Sequence, residues 1–270
     1  QGMARVRLEA GVAREAVSAD GVPCEWLIPR DGPSGRALLY LHGGGFVLGQ
    51  TPLHFQMGAY LAKKMGLRVL MVDYRLAPEH PFPAALDDCV SAYRWLLEQG
   101  FSPQDIVIAG DSAGGNLTIT TMMYLRDNGL PLPAAAACLS PVTDLADKVK
   151  SAPGFKDPLL PSKVVRFYTE SYAGNNDART PLISPAYGDL RGLPPLLVHV
   201  GEEEILRADA VRIADLAKAA GVDVRLEIYP RMWHVWQINL ALPQAVQSLD
   251  DIAQFLGSHL RPAEPQSSLA

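Results

Sequence analysis

The sequence predicts a single α/β domain, with a mostly parallel central sheet and helices on both faces. Three observations carry this expectation. Short apolar runs alternate along the chain with amphipathic stretches of roughly 10–15 residues, the rhythm of strand–helix–strand units. The chain has 270 residues, which suits one large domain better than two. Hydrophobic residues make up 48% and charged residues 20%, so there is enough apolar surface for a core and a disordered chain is excluded.

The elements follow in order. Residues 12–18 and 22–28 flank Asp20-Gly21, a turn pair that predicts a β-hairpin. A buried strand is expected at 37–41, ending at His42-Gly43-Gly44-Gly45-Phe46. A helical pattern at 53–65 stops at Gly66, and a strand at 69–72 leads into Asp73. Pro83 opens a helix that runs to Gln99 and ends at Gly100, with proline in the first turn and glycine past the end. The apolar run 106–109 leads directly into Gly110-Asp111-Ser112-Ala113-Gly114, and a helix continues to about Asn128. A strand follows at 135–139.

The stretch 147–185 breaks the rhythm. It is rich in Pro, Gly and aromatic residues and holds one short helical pattern at 163–172. It is expected to be an insertion, a small cap, over one end of the sheet. The alternation resumes with a strand at 196–200, a helix at 208–220, a strand at 224–229 and a last helix at 243–259. A polar tail is expected from Arg261. In sheets of this kind ligands bind beyond the carboxyl ends of the strands, so the chemistry should sit just after strands.

Several classes are disfavoured by composition. The net charge is -5 and no dense Lys/Arg run occurs, so no nucleic-acid partner is expected. The apolar stretches fall well short of the ~18 residues of a membrane helix. Three widely spaced cysteines, Cys24, Cys89 and Cys138, fit neither a disulfide framework nor a structural zinc site. A reducing, cytoplasmic setting is expected, and the N-terminus lacks the apolar segment of a secretory signal.

Gly110-Asp111-Ser112-Ala113-Gly114 fits the G-x-S-x-G pattern in the strand–turn–helix setting that a nucleophile elbow requires. There Ser112 would sit at a strained backbone position with Oγ above the sheet. Three consecutive glycines at 43–45 carry an entropic cost and need a reason. A loop that aims N–H groups at a developing oxyanion supplies one. The expected donors are the backbone N–H groups of Gly43, Gly44 and Ala113. His42 is expected to be a structural hydrogen-bonder. The base should be a histidine after a late strand, and among six histidines His234 stands in the loop after the strand 224–229. The orienting acid should follow the strand 196–200, where Glu202, Glu203, Glu204 and Asp209 all qualify.

Taken together, these segments resemble the bacterial branch of the hormone-sensitive-lipase family of α/β-hydrolases. The resemblance rests on HGGGF at 42–46, DYRLAPEHPFPAALDD at 73–88, GDSAGGN at 110–116, SPVTDL at 140–145, GLPPLLVHVGEEEIL at 192–206 and GVDVRLEIYPRMWHV at 221–235. It implies Ser112 as nucleophile and His234 as base. The family's Gly-x-x-Asp/Glu-x-Leu pattern selects Glu204 as acid, where Asp is the commoner residue. Asp73, Arg75, Glu79 and His80 match family positions expected to form an ion and hydrogen-bond network behind the oxyanion loop, and Asp144 is expected to be structural. Only 41 residues precede His42, so the family's N-terminal cap helices are expected to be absent or reduced.

The resemblance implies a serine carboxylesterase acting on short- to medium-chain esters through an acyl-enzyme, without metal or organic cofactor, and in many members a homodimer. Two rivals have the same fold. One is an amide or peptide hydrolase with the same triad. The other is a non-catalytic ligand receptor that has lost the histidine, which the presence of His234 opposes.

Overall fold

The computed structural model describes residues 11–30, 35–147 and 160–261. One eight-stranded sheet runs through it, built from β1 (Val12–Ala19), β2 (Val22–Pro29), β3 (Ala37–Leu41), β4 (Arg68–Val72), β5 (Ile106–Asp111), β6 (Ala135–Leu139), β7 (Leu196–Gly201) and β8 (Val224–Tyr229). The order across the sheet is β1-β2-β4-β3-β5-β6-β7-β8. The β1–β2 hairpin and its seam with β4 are antiparallel, and every later pairing is parallel. The hairpin turns at Asp20-Gly21 with φ of 52° and 88°, the positive angles that a tight two-residue turn requires.

Alternation along the strands builds a core on each face. On one face Leu39, Leu41, Ile106 and Ile108 pack with α2 (Ala84–Glu98), α3 (Ala113–Asp127) and α5 (Arg207–Ala219). On the other, Leu38, Tyr40, Val107 and Ala109 pack with α1 (Pro52–Met65) and α6 (Pro243–His259). Sequence signals fix the ends of α1. Thr51 caps it reciprocally with His54, Pro52 occupies its first turn, and Gly66 closes it in the left-handed region at φ 62°.

Within the expected insertion, α4 (Ser162–Ala173) forms where the short helical pattern lies. Residues 148–159 of that insertion lie outside the described residues. Among the described residues no helix is long and apolar enough to cross a membrane.

Candidate active site

The turn between β5 and α3 places Ser112 at φ 53°, ψ -113°, a conformation that side chains of L-residues rarely adopt. Its flanking glycines allow the turn. A Cβ on Gly110 would lie 2.3 Å from the Gly114 carbonyl oxygen, and one on Gly114 would lie 1.9 Å from that of Leu41. Strand and helix therefore approach more closely than any larger residue permits.

His234 follows β8 and points Nε2 at Ser112 Oγ, 3.0 Å away. Its other ring nitrogen, Nδ1, faces Glu204 Oε1 at 3.4 Å. Of the four candidate acids, only Glu204 meets the histidine. It is 3% exposed, and its Oε2 accepts hydrogen bonds from Gly201 N–H and Ser140 Oγ, each at 2.8 Å. Glu202 and Glu203 are exposed at the strand end, and Glu202 accepts from the Arg231 N–H. Asp209, in the first turn of α5, instead accepts from the N–H groups of Thr143 and Asp144. Asp144 is structural in the same region, receiving Tyr187 Oη and Arg212 Nη1 on one carboxylate oxygen.

The oxyanion loop departs from expectation at one residue. The N–H of Gly43 is turned back and donates to Asp111 Oδ1 at 3.0 Å, so it is unavailable to an oxyanion. Gly44 and Gly45, not Gly43, line the pocket beside Ser112 and His234. Among the described residues, no protein acceptor pairs with the N–H groups of Gly44, Gly45 or Ala113.

The network behind this loop also differs from the expected set. Asp73, Glu79 and His80 are exposed, and Arg75 pairs with Asp88 at 2.7 Å. Buried Asp111 holds the loop instead. Its Oδ1 accepts from Tyr40 Oη at 2.7 Å as well as from Gly43, and its Oδ2 faces His54 Nε2 at 3.5 Å. Burial opposes ionisation of Asp111, but the charge and hydrogen bonding of His54, the Tyr40 hydroxyl and His42 outweigh it and hold the carboxyl below its ordinary range. His42 behaves as the structural residue expected. It stacks on Tyr74 with ring centroids 4.2 Å apart, and Nδ1 bonds to the Gly43 carbonyl at 2.6 Å. Burial lowers its pKa to about 4, so it stays neutral near pH 7.

Sequence reasoning missed Asp111, Tyr40, His54 and Ser140. Asp111 and Ser140 lie inside the quoted motifs, Asp111 as the last residue of β5 and Ser140 directly after β6. That position was the available signal.

Above Ser112 opens a pocket of about 330 Å³, lined mainly by apolar side chains that include Phe46, Leu48, Val164, Tyr168, Leu206 and Ile238. Helix α4 forms one wall. Its Tyr172 stacks on Phe46 of the oxyanion loop, with centroids 3.7 Å apart. A larger cavity of about 930 Å³ lies along β8 and α6, lined mainly by charged and amide side chains, with neither Ser112 nor His234 in its lining. The smaller pocket is the one next to the chemistry.

Comparison with known proteins identifies the fold and the family. The family model described as the alpha/beta hydrolase fold matches residues 38–238. An acetyl-hydrolase of Streptomyces hygroscopicus is 43% identical over 258 residues, covering 90% of this chain and 86% of that protein. An esterase of Acinetobacter venetianus is 37% identical, covering 83% and 75%. The crystal structure of an esterase from the bacterial hormone-sensitive lipase family superposes with a TM-score of 0.90 at 42% identity, covering 94% of this chain and 86% of that one. With the fold, the elbow and this breadth of similarity in agreement, the chain belongs to the bacterial hormone-sensitive-lipase family of α/β-hydrolase esterases.

Proposed function

We propose that this protein is a serine carboxylesterase whose triad is Ser112, His234 and Glu204. The observation that carries the reading is the alignment of Ser112 Oγ, His234 Nε2 at 3.0 Å, and Glu204 at 3.4 Å from the histidine's far nitrogen, at the floor of an apolar pocket. His234 Nε2 accepts the Ser112 proton as Oγ attacks the ester carbonyl. The same proton then passes to the departing alcohol, leaving an acyl-serine. Glu204 fixes the tautomer with the proton on Nδ1 and stabilises the imidazolium. The N–H groups of Gly44, Gly45 and Ala113 stabilise the oxyanion. Water, activated by His234, then releases the acid.

The pocket's volume of about 330 Å³ is at the small end of ligand sites, which span roughly 300–1,000 Å³. It supports a preference for short- to medium-chain esters. The segment 147–185, through α4, serves as a cap whose helix presses on the oxyanion loop. The net charge of -5 favours a small ester over nucleic acid as the partner. A homodimer is supported by β8, an edge strand with Ile228 exposed. A reducing, cytoplasmic location is supported by Cys24, Cys89 and Cys138, all buried and free.

The test combines labelling with a substrate series. An organophosphonate should label Ser112 stoichiometrically, and Ser112→Ala should lose ~10⁴-fold or more in kcat. Rates on p-nitrophenyl esters should peak at short acyl chains and exceed those on the matching anilides. Labelling elsewhere, or a maximum at long chains, would overturn the corresponding part of the reading.

A further inference from the structure

Ser140, the residue that follows β6, is fully buried and held at φ 49°. Its position ties together three loops. The neighbouring backbone grips the nucleophile: Ser112 N–H donates to the Leu139 carbonyl at 2.8 Å, and Val142 N–H donates to the Ser112 carbonyl at 3.3 Å. Its own N–H donates to the His199 carbonyl of β7 at 2.7 Å. Its hydroxyl donates to Glu204 Oε2 at 2.8 Å and accepts from Val235 N–H at 3.2 Å.

The directions of these bonds are fixed by chemistry. An ionised carboxylate only accepts and a backbone N–H only donates, so the single hydroxyl proton must go to Glu204. Val235 follows His234 directly and is itself in the left-handed region at φ 49°, ψ 46°. A β-branched residue there is a genuine outlier that the surroundings must hold in place. The Ser140 hydroxyl is thus a one-atom bridge between the acid and the backbone of the histidine loop. With Gly201 N–H, it also occupies Oε2 of Glu204 and leaves Oε1 for His234.

We propose that Ser140 is a positioning residue for the acid–histidine pair: its hydroxyl locks the Glu204 carboxylate and the His234 loop into one geometry. This rests on the triad reading above. The lock matters most when the imidazolium forms. Glu204 must then be ionised, oriented and at a fixed distance from Nδ1, because a misplacement of about 1 Å can cost ~10²-fold in rate. Ser140 does not touch the reacting atoms. It acts through Glu204 and through the backbone at 235.

The experiment is a double-mutant cycle on kcat. Ser140→Gly removes the hydroxyl and suits the positive φ, and Ser140→Ala removes it with the Cβ kept. Each is made alone and in a Glu204→Gln background, with folding checked by thermal melting. On a short p-nitrophenyl ester, each single variant should lower kcat ~10-fold or more with KM within about two-fold, while phosphonate labelling still falls on Ser112. In the Glu204→Gln background, the same change should cost less than about two-fold, because no carboxylate charge remains to be positioned. Retained kcat in both single variants would overturn the proposal. So would equal losses in both backgrounds, the result expected of a hydroxyl that only fills space. If Glu204→Gln alone keeps its kcat, the acid assignment itself fails, and the proposal falls with it.

Discussion

Asp111 sits beside the nucleophile yet does not belong to the triad, and paired substitutions separate its role from simple burial. Its Oδ1 accepts from two buried donors, Tyr40 Oη at 2.7 Å and Gly43 N–H at 3.0 Å. Asp111→Ala leaves both without an acceptor. An orphaned buried donor costs about 1–3 kcal/mol, so the pair should cost about 2–6 kcal/mol. Asp111→Asn keeps an oxygen where Oδ1 stands. Its cost lies on the other side, where the amide NH₂ faces His54 Nε2. That nitrogen carries the ring proton because Nδ1 accepts from Thr51 N–H at 2.9 Å. One opposed donor pair and the lost charge should cost about 1–2 kcal/mol. Urea unfolding gives the stabilities, and kcat on a short p-nitrophenyl ester reports the loop. Asp111→Ala should also lower kcat by ~10–100-fold, since Gly43 anchors the loop that presents Gly44 and Gly45. If the Asn variant is as damaged as the Ala variant in both measurements, the hydrogen bonds are not what matters. If the Ala variant is unharmed in both, Asp111 does not hold the loop.

Two further outcomes are expected. In a crystal structure of the phosphonate adduct, the phosphoryl oxygen should lie within about 2.7–3.1 Å of the N–H groups of Gly44, Gly45 and Ala113, with Gly43 N–H still on Asp111. An oxygen bonded to Gly43 instead would restore the original expectation. Stability should also fall with acid. Burial lowers His42 to about 4, against about 6.5 when unfolded, so between those pH values only the unfolded chain takes up the proton. That removes up to about 3 kcal/mol as pH drops through the window. His199, also lowered by burial, acts in the same sense. The contribution of Asp111, whose pKa is depressed, is lost at still lower pH as the carboxyl protonates. A urea midpoint unchanged between about pH 7 and pH 5 would refute this.

Much of the architecture was legible because it rests on local signals. The apolar runs became strands within a residue or two, and Asp20-Gly21 and Gly66 turned the chain where their conformational preferences predict. The elbow at Ser112 was legible because the G-x-S-x-G pattern stands between a strand and a helix. What was not legible depends on direction and long separation. Within Gly43-Gly44-Gly45 every residue looks alike, and only the three-dimensional position of Asp111, 68 residues on, turns the first N–H away. The same limit explains the misassigned network. Asp73, Glu79 and His80 are polar residues of a quoted motif, but the chain leaves them exposed. The residues that do the holding, Tyr40 and His54, look like strand and helix core.

The strained residues show how the site is held. Six non-glycine residues among those described have positive φ, and four of them stand at the pocket: Phe46, Ser112 and Val235 line it, and Ser140 bonds to Val235. At about 1–3 kcal/mol each, this strain amounts to a large part of a domain's net stability of about 5–15 kcal/mol, so the surrounding structure must over-determine it. It does so by crossed bracing. Phe46 is held through its carbonyl by Ala77 N–H at 2.9 Å, Ser112 by the Leu139 carbonyl, Ser140 by the His199 carbonyl, and Val235 by the Ser140 hydroxyl. Three of these braces are backbone to backbone and would survive a change of side chain. The fourth, which ties Val235 to another loop, is a single hydroxyl, beside a local bond from Ile238 N–H to the Val235 carbonyl at 3.2 Å. The histidine loop is therefore where one side-chain substitution can relax the strain. Relaxation there would recover part of the hydrogen-bond energy lost with the hydroxyl while moving His234 away from Ser112, so that activity falls by more than stability.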